Sequence, residues 1–184
     1  ENAGGDRGSM VGPTLLITAP TRELAMQIAR ECELATAESK MRTLGLIGGA
    51  NVNRQVEKLR KLKPHIVVGT PGRLLELARG NRSALKLSDV EAVVVDEVDH
   101  ALSPAFREEL QQLLKLAPRN RQTIAVSATA GKQVVREFAI DSMRDPVLLR
   151  VAAEQTLPSS ISHFVVAVPR QKKLDAVRRI MYDT

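Results

Sequence analysis

Five short runs of aliphatic and β-branched residues recur along this chain, each followed by a longer stretch whose apolar residues fall three and four positions apart. The runs are TLLITA (14–19), TLGLIGG (43–49), HIVVGT (65–70), EAVVVD (91–96) and QTIAVSAT (122–129). They are too short for helices and apolar at consecutive positions, which is the pattern of strands covered on both faces. Leu24, Ile28 and Cys32 mark a helix over 21–39, and Val52, Val56 and Leu59 mark a second. PGRLLELAR (71–79), the stretch carrying Phe106, Leu110, Leu113 and Leu114, and KQVVREFAI (132–140) read as three more. Strands alternating with helices are joined by crossovers, which make the sheet parallel and cover both its faces. The expected fold class is therefore α/β. PVLLRV (146–151) and ISHFVVAV (161–168) read as further strands, and Leu174, Val177 and Met181 mark a last helix. The chain then divides into a Gly-rich polar lead-in (1–13), a main domain (14–151), a linker AAEQTLPSS (152–160) and the opening of a second domain (161–184).

In such a sheet, ligands bind beyond the carboxyl ends of the strands. The unusual polar groups of this chain fall at those ends: Thr21-Arg22, Gly48-Gly49, Thr70-Pro71-Gly72-Arg73, Asp96-Glu97 and Ser127-Ala128-Thr129. Their coincidence weighs more than any one of them. Asp96, Glu97 and Asp99 form an acidic cluster that is costly unless water, donors or a cation compensates it. It is either a solvated turn or a holder of something positive. In the second case one carboxylate suits a hydrated Mg²⁺ beside a triphosphate. Its neighbour suits orienting or deprotonating a water, the Walker-B arrangement. Ser127 and Thr129 can donate to a nearby carboxylate, for which Asp99 is the natural candidate; a purely structural strand end is the alternative. Thr21-Arg22 and Thr70-Pro71-Gly72-Arg73 each open a helix. Free N–H groups and the positive end of the dipole there join a hydroxyl and an Arg, which suits phosphate, though ordinary capping would use the same residues. Gly48-Gly49 either lets the backbone approach a ligand or makes a plain turn.

Composition narrows the partners. Against 21 Asp and Glu stand 27 Lys and Arg, a net charge of +6, which favours polyanions. With three Phe, one Tyr and no Trp, base stacking has little to work with, so a nucleic acid would be gripped by its backbone phosphates. The one cysteine, Cys32, excludes an internal disulfide and a Cys-based zinc site and points to a reducing, intracellular compartment. His65, His100 and His163 lack metal-ligand spacing. No apolar run reaches transmembrane length, so no membrane partner is expected.

The ordered set PTRELA (20–25), GG (48–49), TPGR (70–73), DEVD (96–99) and SAT (127–129) resembles the DEAD-box RNA helicase family over nearly the whole chain after Pro13. The resemblance implies a RecA-like first domain and the start of a second RecA-like domain after about residue 158. It implies ATP and Mg²⁺ as cofactors, with Asp96 positioning the metal, through water, and Glu97 as base or water-orienting group. Asp99 would bond Ser127 and Thr129 and couple nucleotide state to RNA. Thr21, Arg22, Gly49, Gln55, Thr70, Gly72 and Arg73 would hold the RNA sugar–phosphate backbone with little sequence preference. The implied activity is RNA-dependent ATP hydrolysis that drives local strand separation or ribonucleoprotein remodelling, with ribosome assembly among the settings. A catalytically silent relative that clamps RNA during assembly is the alternative.

Two departures from the family pattern matter. Val98 stands where the family usually has Ala; its extra methyls cost nothing with local repacking and about 1–3 kcal/mol if overpacked. No G-x-x-x-x-G-K-[ST] occurs, because Gly131-Lys132 is followed by Gln133 and Val126 stands where the first Gly belongs. In the family the phosphate loop precedes PTRELA, and its strand lies beside the SAT strand. The SAT strand is thus expected to show an open apolar edge, and the residues to be a segment of a longer polypeptide, inactive toward ATP alone. The basic run Arg170, Lys172, Lys173, Arg178 and Arg179 reads as a solvated helix face or an added RNA track.

Overall fold

The computed structural model describes residues 12–79, 84–150, 160–162 and 164–182. Five strands form one parallel sheet: β1 (Leu15–Thr18), β2 (Thr43–Leu46), β3 (Ile66–Gly69), β4 (Ala92–Val95) and β5 (Gln122–Ala125). The helices are α1 (Arg22–Ala35), α2 (Val52–Leu62), α3 (Pro71–Arg79), α4 (Val98–Ala101), α5 (Arg107–Leu116), α6 (Gln133–Ser142) and α7 (Lys173–Tyr182). Strand order is β2-β3-β1-β4-β5, with Ile17 opposite both Val68 and Val94. This is the α/β, RecA-like arrangement, with helices on both faces.

The two faces follow from the alternation of side chains along each strand. Leu16, Val67, Val93 and Val95 point to one side, where they pack with Val56 and Leu59 of α2, Leu74 and Leu77 of α3, and Leu110 and Leu113 of α5. Ile17, Ile66 and Val68 point to the other, against Ala25 and Ala29 of α1. The chain steps one way across the sheet through α1 and the other way through α2, α3 and α5. Crossovers of one hand must then put α1 alone on its face. The small residues Ala25 and Ala29 let α1 sit close to the sheet, and Gly45 of β2 does the same: a Cβ there would lie 2.9 Å from the Met26 sulfur.

Helix ends are set locally. Thr21 caps α1 by accepting from the Leu24 N–H at 3.2 Å, and Asn51 caps α2 by accepting from the Arg54 N–H at 3.1 Å. Pro71 occupies the first position of α3, where its missing N–H costs nothing. Cys32 is half-buried on the packed side of α1. Burial pushes its thiol up, and Glu31 and Glu33 push the same way. It is expected to alkylate more slowly than free cysteine at neutral pH, as a mass-spectrometric time course would show. Equal or faster reaction would contradict that placement.

β5 is the terminal strand of the order, and its outer edge is unpaired among the described residues. Ile124, on the α1 side, is 42% exposed because α1 does not extend over β5, and Val126 beyond it is also exposed. The strand read over 122–129 in the sequence ends at Ala125, so Ser127 lies past the strand and Thr129 in the turn that follows.

The residues up to Pro146 make one compact unit and those from Val147 a second. In the second, a 3-10 turn at Arg170–Lys172 leads into α7. The strands read over 146–151 and 161–168 do not form at residues 146–150, 161–162 or 164–168. An apolar run becomes a strand only when a neighbour takes its N–H and C=O groups, and here Val165 is 98% exposed. Residues 1–11 of the lead-in and 152–159 of the linker lie outside the described residues. No helix of the described residues is long and apolar enough to cross a membrane.

Candidate functional site

The carboxyl ends of the strands divide the polar groups into two sets. Over β2, β3 and β1 lie the helix starts and the double glycine; over β4 and β5 lie the carboxylates and hydroxyls. Strands β1 and β4 send their connections in opposite directions, so the two sets meet at the topological switch point, where ligands of such sheets bind.

In the first set, Arg22 opens α1 and its guanidinium lies against Gly48 and Gly49. A Cβ on Gly49 would stand 2.5 Å from Arg22 Nη1, and Gly49 has φ +79°, so this position requires glycine. Arg22 is exposed, and its guanidinium makes no hydrogen bond or ion pair among the described residues, which leaves its five donors for a ligand. The Thr21 hydroxyl accepts the capping bond and still has its own proton to give. Thr70 and Gly72 border the start of α3. A Cβ on Gly72 would lie 2.8 Å from the Glu109 carboxylate, so Glu109 of α5 stands directly beside that helix start.

Gln55 and Arg73 are placed differently from Arg22. Both are buried, at 7% and 8% exposure. Arg73 Nη1 donates to Gln55 Oε1 and to the Ala50 carbonyl, both at 3.0 Å, and Arg73 Nε donates to Glu76 at 2.9 Å. Gln55 Nε2 in turn donates to the Ile47 carbonyl at 3.0 Å. The two side chains thus hold both ends of the segment that carries Gly48-Gly49.

In the second set, the Asp96 N–H continues the sheet ladder by donating to the Thr18 carbonyl at 2.9 Å. The Asp96 carboxylate accepts from the Glu97 N–H at 2.9 Å through Oδ1, which leaves its other oxygen without a hydrogen bond among the described residues. Glu97 adopts φ +45°, a left-handed conformation that costs a non-glycine residue about 1 kcal/mol or more and is typical of working sites. Its side chain is half-exposed, with His100 Nδ1 3.6 Å away. Val98 is fully buried in the core, and its N–H donates to the Val126 carbonyl at 3.0 Å, so the added methyls have a place.

Thr129 Oγ1 donates to Asp99 Oδ2 at 2.6 Å, and Ser127 Oγ accepts from the Thr129 N–H at 3.0 Å. The Thr129 hydroxyl holds the Asp99 carboxyl below the usual carboxylate range, against an upward push from burial; Ser127 and the Lys132 ammonium 4.0 Å away also lower it. Asp99 is therefore an internal clasp between the α4 start and the turn after β5.

Among the described residues, no three His, Cys, Asp or Glu side chains come together as a metal cage. The one free carboxylate oxygen of Asp96 suits an ion that keeps its waters and takes its other ligands from phosphates, as Mg²⁺ does, and would not hold a metal by itself. The motifs singled out Asp96, Glu97, Asp99, Ser127, Thr129, Thr21, Arg22, Gly49, Gln55, Thr70, Gly72 and Arg73. Glu76 and Glu109 were not singled out. Glu76 could have been found from its i, i+3 spacing to Arg73, whereas nothing local signals that Glu109 crosses from α5 to Gly72.

Residues 7–138 match the family model described as DEAD/DEAH box helicase. The chain is 38% identical over 171 residues to the probable ATP-dependent RNA helicase YfmL of Bacillus subtilis, covering 91% of this chain and 44% of that protein. It is 39% identical over 166 residues to the ATP-dependent RNA helicase CshA of Listeria monocytogenes, covering 90% of this chain and 31% of that one. In structure it is similar to a DEAD box protein from the hyperthermophile Methanococcus jannaschii, with a TM-score of 0.70, 28% identity, and coverage of 92% of this chain and 44% of that chain. The chain thus spans less than half the length of these relatives.

Proposed function

Because the chain belongs to the DEAD/DEAH box helicase family, we propose that it carries the RNA-gripping face and the water-activating face of an ATP-dependent RNA helicase. The observation that carries this reading is the division of the strand ends. Groups suited to phosphates lie over β2, β3 and β1, and carboxylates lie next to them on β4, tied to the turn after β5 through Thr129 and Asp99. Arg22, Thr21, Gly49, Thr70 and Gly72 hold the RNA sugar–phosphate backbone. Glu97 orients or deprotonates the attacking water. Asp96 holds a hydrated Mg²⁺, which when bound neutralises charge on the nucleotide phosphates. Asp99, Ser127 and Thr129 pass the nucleotide state to the RNA face.

Residues 14–151 belong to a first RecA-like domain, 152–160 to a linker and 161–184 to the start of a second. A phosphate loop contributed by a longer polypeptide, with its strand on the open edge of β5, would complete the nucleotide site. The work is local strand separation or ribonucleoprotein remodelling. A catalytically silent RNA clamp is the second reading, and no feature of Asp96 or Glu97 favours it.

Salt dependence of RNA affinity tests the grip. For roughly three to five backbone contacts on single strands, affinity of the full-length protein is expected to fall about 10- to 100-fold between 50 and 200 mM salt, by counterion release. Two single strands of unrelated sequence should behave alike in fluorescence anisotropy. A flat salt response with sharp sequence preference would overturn the backbone-grip assignment.

A further inference from the structure

The two arginines at the helix starts do different work. We infer that Arg73, acting through Gln55, is a positioning residue that locks the 47–50 segment in the shape that receives an RNA backbone, and that Arg22 is the residue that meets the phosphate. The inference rests on the RNA-binding reading and assigns roles within it.

Geometry separates the two. Arg73 is 8% exposed and its guanidinium is engaged on several sides: Nη1 by Gln55 and the Ala50 carbonyl, Nε by Glu76. Three of its five N–H donors, on Nε and Nη1, are committed inside the fold, and a phosphate taking them would leave the buried Gln55 amide oxygen unpaired, which is costly; Nη2 makes no hydrogen bond among the described residues, so the salt slope of an Arg73 variant decides whether it meets a phosphate. Gln55 is equally committed: its amide oxygen accepts from Arg73 while its amide N–H donates to the Ile47 carbonyl. The carbonyls of Ile47 and Ala50 flank Gly48-Gly49, so the pair pins the segment at both sides of its two most flexible residues. Against Gly48 and Gly49 lies the Arg22 guanidinium, exposed and without a hydrogen-bond partner among the described residues. One arginine fixes the loop from within, and the other faces solvent beside it. Arg73 meets its acceptors from two nitrogens of a planar fork, Nε toward Glu76 and Nη1 toward Gln55 and Ala50, a spread that the single nitrogen of a lysine does not reproduce.

The test uses the full-length protein as wild type, Arg73→Ala, Arg73→Lys, Gln55→Leu and Arg22→Ala. RNA affinity is measured across a salt series, and amide hydrogen exchange of residues 47–50 is measured without RNA. Arg73→Ala and Gln55→Leu should each weaken RNA binding by about tenfold or more, the scale of losing hydrogen bonds to a charged group. Both should keep the wild-type salt slope, and Arg73→Lys should not restore affinity. Arg22→Ala should lower the slope by about 0.7, one single-strand phosphate contact. Exchange at 47–50 should quicken in both clasp variants and stay unchanged in Arg22→Ala. If Arg73→Ala loses the same slope as Arg22→Ala, and Arg73→Lys restores affinity, Arg73 is a phosphate ligand and the inference fails. Unchanged exchange at 47–50 in Gln55→Leu also overturns it, and that variant serves if Arg73→Ala does not fold. A wild-type protein without salt-sensitive RNA binding would defeat the RNA reading, while the exchange data would still decide the clasp.

Discussion

Glu97→Gln in the full-length protein is expected to lower RNA-stimulated ATP turnover by about 10²–10⁴-fold, the usual worth of a positioned acid–base group. ATP and RNA affinities should stay nearly intact. Glu97 is half-exposed, contributes no core contact, and is set by a left-handed backbone at the end of β4. Gln keeps the volume and the backbone preference but cannot take a proton, so the change isolates the chemistry from the fold. The check is steady-state turnover beside RNA anisotropy on the same preparation. Turnover surviving in the variant would mean that another group activates the water.

Thr129→Val is expected to separate hydrolysis from RNA work. Its 2.6 Å bond to Asp99 is the shortest tie between the α4 start and the turn after β5. Removing a hydrogen bond to a charged group costs about 1.5–3 kcal/mol, roughly 10- to 100-fold in the linkage it supports. Strand separation per ATP should drop on that scale while turnover falls less. The same bond gives a pH signature. Asp99 has its folded-state pKa lowered, first by Thr129, so its stabilisation is fully present above the ordinary unfolded carboxylate value of about 3.9. That stabilisation is lost as pH falls through the lowered folded value. The stability gap between wild type and Thr129→Val in urea should therefore be widest at pH 7 and shrink progressively as pH falls below the ordinary carboxylate value. A gap that did not narrow in acid would remove Asp99 as the partner that matters.

Much of this was legible in the sequence, for identifiable reasons. The apolar runs at β1, β3 and β4 could only be strands covered on both sides, and the helix periods between them required crossovers. The acids of DEVD and the hydroxyls of SAT fell at strand ends, where Asp99 and Thr129 do meet. Other features depend on partners that local sequence cannot supply. The apolar runs at 146–151 and 161–168 look like strands, but pairing into a sheet decides, and residues 146–150, 161–162 and 164–168 form no strand. Motif membership placed Gln55 and Arg73 beside Arg22, yet a motif does not say which way a side chain turns. Arg73 sits two residues into α3, on the side that packs toward Gln55 and the Ala50 carbonyl, and only the folded loop reveals that. Glu109 reaches Gly72 from α5, a contact 37 residues distant in sequence that no spacing rule signals.

The most direct test of the account is ATP turnover by the wild-type full-length protein, measured with and without single-stranded RNA at low salt. Turnover that rises on adding RNA and declines again as salt weakens RNA binding is the predicted result, because the acids after β4 and the phosphate-suited groups after β1, β2 and β3 lie at one end of one sheet. RNA binding with no turnover under any RNA concentration would contradict it and make the protein an RNA clamp with unused acids.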